Sequence, residues 1–253
     1  MASNGNGGES FIHPMDQFVV GPIFGGHITP LSVTNSTIWM AISVLAICAL
    51  TILGTRGRAL VPSRVQSIAE LLYGFVRQTL HEVAGDEGLK YFPYIFTLFT
   101  FILFCNMLGM LPYSFTPTSH IAVTGVMALA VFVSVTVIAF RKHGTHFLMF
   151  FWPMEAPGWL RPVLCVIELI SYFVRPVSHS VRLGANMLAG HAVLKVFAGL
   201  FAMMIAGGLG ALAILPLAGM IGLTALEFLV AFIQAYVFMI LTCVYLNDAL
   251  HMH

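Results

Sequence analysis

The chain has 253 residues, 59% of them hydrophobic and only 8% charged, whereas an ordinary soluble domain carries about 25% charge. That excludes a soluble globule, and a formal charge of +1 leaves no basic surplus for a nucleic-acid partner. The composition predicts an all-α integral membrane protein whose solvent is the lipid bilayer, with a leader over 1–35 and a single membrane domain over 36–253.

The leader is rich in Gly, Asn, Ser and Pro, and no Lys or Arg occurs before Arg56. It therefore lacks the basic segment of a cleaved signal peptide, and the first apolar run, 36–54, reads as an uncleaved span. Arg56, Arg58 and Arg64 follow. Over 63–84 the apolar residues Val65, Ile68, Leu72, Phe75, Val76 and Val83 recur at helical spacing opposite Gln66, Glu70, Arg77 and His81. This predicts an amphipathic helix on the inner membrane surface. Ser63 and Gln66 suit a capping box at its start, and Gly85-Asp86-Glu87-Gly88 suits its end.

Two further spans are predicted over 94–111, stopped by Pro112, and over 121–140, joined by the uncharged loop Tyr113 to His120. Arg141-Lys142-His143 then opens an aromatic and proline-rich stretch of the kind found at headgroup level. Beyond it, 162–206 and 211–246 flank a Gly207 to Gly210 turn. As helices they would be about 67 and about 54 Å long, against a hydrocarbon core of about 30 Å. A strongly tilted helical hairpin is the favoured arrangement, and a re-entrant piece before a normal span is the alternative. Eight of the eleven Lys and Arg fall in the two loops between spans one and two and between span three and the hairpin. The positive-inside rule puts those loops inside, the N-terminus outside and the C-terminus inside. Cys48, Cys105, Cys165 and Cys243 lie in apolar runs and read as inert thiols.

The first three spans contain no charged residue, whereas the hairpin contains Glu168, Arg175, Arg182, His191, Lys195 and Glu227. Ionisable groups at membrane depth are expensive and usually mark an ion or proton path. Glu168, Arg175 and Arg182 are seven residues apart and form one stripe, which Ser178 and Asn186 widen. Arg182 is near mid-depth, where a guanidinium attracts carboxylates but does not give up its proton. Arg175 and Lys195 lie nearer the ends and suit interfacial anchoring equally well. His191 and Glu227 both fall about 23 Å along their helices from the outer turn, and Gln234 falls close to the level of Arg182. The result is a ladder of polar groups from the outside to the centre. The His143/His146 and His251/His253 pairs lack a third ligand, and no nucleotide-binding loop is present. No metal and no cofactor are expected.

The run from Pro176 through Arg182 and Asn186 to His191, with Leu226-Glu227 and Ile233-Gln234-Ala235-Tyr236 and a second block from Asn106 to Pro112, closely resembles the a-subunit family of F-type ATP synthases. The resemblance covers the chain from about the first span to its end. It implies a non-catalytic, proton-translocating stator with two offset half-channels against a ring of c subunits, each bearing one membrane carboxylate. A b-type peripheral stalk and the remainder of the F1Fo complex would be the other partners. On this resemblance Arg182 is the arginine that separates the half-channels, Asn186, His191, Glu227 and Gln234 line the outer one, and Glu168 belongs to the inner one. Ser178, Arg175 and Tyr236 are secondary candidates. The order His191 then Glu227 is similar to the mitochondrial type, which together with the long uncharged leader suggests a mitochondrial-like bacterial protein of the cell inner membrane. The competing class, a proton-coupled secondary transporter, would show inverted repeats with paired broken helices, and the two halves of this chain differ.

Overall fold

A computed structural model describes residues 34–56, 62–111, 114–144, 147, 160–208 and 210–251. Most of the leader, the aromatic stretch after Phe147, Pro112, His146, Leu209 and His253 lie outside them. The described residues form six α-helices: α1 (Asn35–Arg56), α2 (Arg64–Gly88), α3 (Phe92–Gly109), α4 (Ile121–His143), α5 (Arg161–Ala206) and α6 (Ile214–Leu250). Five helical stretches among them are long and apolar enough to cross a membrane, α2 and α3 counting as one run from Arg64 to Gly109.

Ser63 caps α2 by accepting a bond from the Gln66 backbone N–H at 3.3 Å. The Gln66 side chain does not return the bond; it donates to Glu70 Oε1 at 2.7 Å, so only half of the predicted box forms. The glycine cluster bends the chain rather than stopping it. Gly85 adopts φ 63, ψ −165, a region open only to glycine, and helical backbone resumes within a few residues to lead into α3. The face that α2 buries overlaps the predicted one at Leu72 and Val76, with Phe75 and Val83 packed against the core, and departs from it elsewhere. Leu72, Val76, Leu80 and Ala84, spaced at i+4, are buried in the core against α6, whereas Val65, Ile68 and Leu71 are exposed. Gln66, assigned from the sequence to the polar face, is buried. The i+4 row has the more continuous apolar surface to offer a neighbouring helix.

Helix α6 is the hub, packing on α2, α3, α4 and α5. It antiparallels α5: the His179 ring stacks on Phe238 at 4.0 Å, Gly190 faces Glu227, and Arg175 reaches Asp248 at 3.2 Å. Helix α5 runs unbroken for 46 residues through Gly184 and an internal Pro176. Its length of about 69 Å fits a bilayer only if the helix is steeply inclined. The continuous helix answers the question the sequence left open, because no re-entrant piece interrupts it. One side of α5 packs on α4 and α6; the other leaves Ile170, Phe173, Val174, Val177 and Val181 exposed. The bend after α2 and the end of α4 come together through an ion pair between Lys142 and Glu87, so the two basic loops share one side of the bundle.

Candidate functional site

The opposite end of the bundle contains the site. A cavity of about 880 Å³ opens there, lined by Asn35 and Trp39 of α1, the end of α3, the loop residues Ser114 to Thr116, His191 and Lys195 of α5, and Met220 and Thr224 of α6. A second cavity of about 340 Å³ lies deeper between α5 and α6 and is lined by Asn186, Gly190, His191, Glu227 and Gln234. His191 and Met110 are in the walls of both. The polar ladder expected from helix arithmetic is therefore a pair of adjoining chambers with an imidazole at the junction.

His191 Nδ1 lies 3.9 Å from Glu227 Oε2, and the two side chains are 14% and 10% exposed. That separation is too long for a direct hydrogen bond and short enough for one bridging water or a small motion. On its other edge His191 Nε2 is 2.8 Å from Thr116 Oγ1. Both carboxylate oxygens of Glu227 are buried without a hydrogen-bond partner among the described residues. Such a group is unusual enough to need a reason. Gly190 provides the room: a Cβ there would overlap Glu227 Oε1 and sit 3.0 Å from Cδ.

Arg182 and Asn186 are exposed on the uncovered side of α5, one turn apart. His179 and Gly190 are eleven residues apart, as are their partners Glu227 and Phe238. In that register Gln234 falls level with Leu183, next to Arg182, as the counting from the outer turn anticipates. Gln234 and Glu227 are each 8% exposed. Ser178 is exposed one turn inward of Arg182, and Glu168 is half-buried further along α5, outside both cavities. Lys195, half-buried, lines the outer chamber.

Two secondary candidates are placed elsewhere. Tyr236 turns away from the chambers and packs its ring on Phe75 of α2 at 5.6 Å, since two residues along a helix rotate a side chain by about 200° from Gln234. Arg175 donates to Asp248 Oδ2 with its guanidinium 5.7 Å from the Tyr172 ring and 5.1 Å from the Tyr245 ring. It clamps α5 to α6 near the basic end.

Four residues that sequence reasoning did not single out bear on the arrangement. Asp248 lies two positions beyond the predicted end of the last helix. His179 is 3% exposed against Phe238. Thr116 holds His191, and Thr118 donates to Asn106 Oδ1 at 2.7 Å, with Asn106 in turn donating to the Ala231 carbonyl at 3.2 Å. An uncharged loop gives no periodic signal for such contacts. The Asn106 block was recognised only as a resemblance.

A family model described as ATP synthase A chain matches residues 37–247. The chain is 60% identical to an ATP synthase subunit a of Paracoccus denitrificans over 252 residues, 99% of each chain. It is equally 60% identical to that of Dinoroseobacter shibae over the full length of both. Against that of Rhodobacter capsulatus the identity is 62% over 86% of this chain and 92% of the relative.

Proposed function

Since the chain belongs to the ATP synthase A chain family and is a proton-translocating stator subunit of the membrane sector, we propose that its two chambers form the outer half-channel and that the uncovered side of α5 faces a ring of c subunits. Protons enter the larger chamber from outside, cross the junction at His191, and pass through Glu227 to the deeper chamber. There Asn186 and Gln234 deliver them to a ring carboxylate. After rotation each proton leaves through an inner path that includes Glu168. A b-type stalk and the rest of the F1Fo complex complete the assembly, and phosphoryl chemistry belongs to those other subunits. The N-terminus lies outside the inner membrane and the C-terminus inside.

The observation that carries this reading is the junction itself. One imidazole borders both chambers and stands 3.9 Å from a buried carboxylate, while the deeper chamber ends at Asn186, one turn from Arg182. Arg182 has two tasks on that exposed side. Its positive charge draws a ring carboxylate into the ionised state, and its retained proton prevents a relay from running directly between the two paths. Arg182→Ala should abolish coupled ATP synthesis in vesicles while permitting passive proton conductance after the catalytic sector is stripped away. Arg182→Lys should also fail, because an ammonium is more compact and can lose its proton in an apolar site. Full synthesis by the Lys variant would overturn the argument.

A further inference from the structure

The loop between α3 and α4 carries no charge, yet it touches His191, which the proposed function makes a proton carrier. Thr116 Oγ1 lies 3.1 Å from the Gly109 carbonyl and 2.8 Å from His191 Nε2. Thr116 is 5% exposed and stands in the wall of the outer chamber beside His191. Its seat is tight: a Cβ on Gly109 would sit 2.6 Å from Thr116 Cγ2 and 2.8 Å from its Cβ. The threonine cannot occupy this place unless residue 109 lacks a side chain.

A hydroxyl has one proton. The Gly109 carbonyl only accepts, and it takes bonds from Thr116 Oγ1 at 3.1 Å and from Ser114 Oγ at 2.7 Å. With the Thr116 proton given to Gly109, the remaining lone pair accepts from the imidazole. That requires a hydrogen on Nε2 and leaves Nδ1, the nitrogen facing Glu227, as the basic one. We infer that Thr116 is a positioning residue for His191, holding the ring in the tautomer and orientation in which protons are taken up and released on the Glu227 side. This rests on the reading of His191 and Glu227 as the outer path. In each passage Nδ1 takes a proton from water in the outer chamber and gives it to a Glu227 carboxylate oxygen, and the ring returns to its neutral form with Nε2–H untouched. Among the described residues, the charged or titratable groups beside His191 are Glu227 from α6 and Lys195 on its own helix, and the lining residues that the loop, α3 and α1 give the chamber are uncharged.

The test is passive proton conductance of the assembled membrane sector in vesicles, normalised to assembled complex, for Thr116→Val, Thr116→Ala, Thr116→Ser, His191→Asn and the double variant Thr116→Val/His191→Asn. Losing one hydrogen bond to the ring predicts a slowing of about two- to tenfold for Val. Ala, which removes the hydroxyl without adding a methyl, should slow conductance similarly and serves if the Val variant assembles poorly. Ser, which restores the hydroxyl, should return to wild-type conductance. In the His191→Asn background the Val substitution should add nothing, since its effect passes through the imidazole. Wild-type conductance for both Val and Ala overturns the proposal, as does a Val penalty that persists without His191 or a Ser variant as slow as Val. Wild-type conductance for His191→Asn itself would instead overturn the outer-path reading on which the proposal stands.

Discussion

The contact between Gly190 and Glu227 gives the site its most direct steric test. Helix α6 brings its carboxylate against the bare backbone of α5, and a methyl at residue 190 would overlap Oε1 while standing 3.0 Å from Cδ and 3.2 Å from Cγ. Both are tighter than ordinary van der Waals contact, so Gly190→Ala must swing the Glu227 side chain or part the helices. Overpacking of this kind costs about 1–3 kcal/mol, which is about five- to 150-fold in the population of the conformer that keeps Glu227 3.9 Å from His191. ATP-driven proton pumping in vesicles should fall by a factor in that range while the assembled complex remains isolable. Because the clash is with the end of the side chain, adding Glu227→Asp to Gly190→Ala shortens it by one methylene and should recover part of the lost rate. Wild-type pumping by Gly190→Ala, or no recovery in the double variant, would refute the claim that this glycine exists to admit the carboxylate.

Glu227→Gln removes the one acid among the described residues that line the deeper chamber and should slow pumping at least tenfold with the complex intact; quantifying both on the same vesicles checks it. A cysteine at residue 168 should react with a water-soluble maleimide applied from the inner side, since Glu168 lies about 21 Å inward of Arg182 along α5, and labelling from the outside alone would reverse the topology. Asn106→Leu deletes the bonds to Ala231 and Thr118 and should cost about 1–2 kcal/mol, seen as a lowered thermal midpoint of the detergent-solubilised complex.

What could be read from the sequence followed from helix arithmetic, and what could not was contact between distant segments. Counting residues back from one turn placed His191 opposite Glu227 and Gln234 beside Arg182, because two antiparallel helices of fixed rise share a single register. The same counting missed Asp248, since the apolar run was judged to end at Leu246 while α6 continues to Leu250 through polar residues paired with Arg175. Tyr236 sits within the block that carries the family resemblance, yet it belongs to the opposite side of α6 and supports Phe75. Proximity in sequence to a functional residue says little about side-chain direction. Thr116 and His191 are 75 positions apart, and nothing in an uncharged loop distinguishes a threonine that meets an imidazole from one that meets its own helix.

The proposed division of labour along the hairpin follows from which side chains are covered. Helix α6 packs on four neighbours, and its packed face holds Glu227 and Gln234 at 8% exposure, with Asn106 anchoring the Ala231 carbonyl one turn from Glu227. Helix α5 has one uncovered side, and on the proposed function the groups exposed there, Arg182 and Asn186, are the ones that meet the moving ring. A fixed relay on a packed face and a fixed charge on an open one are different requirements. A relay needs groups that exchange protons across short, constant gaps, which burial on a packed helix face provides. A barrier needs a charge that never releases its proton and that approaching carboxylates can reach one after another, which only an exposed guanidinium on the uncovered side can supply. His191 lies at the boundary between these conditions, on α5 yet turned toward α6, and it is there that the loop threonine fixes its ring.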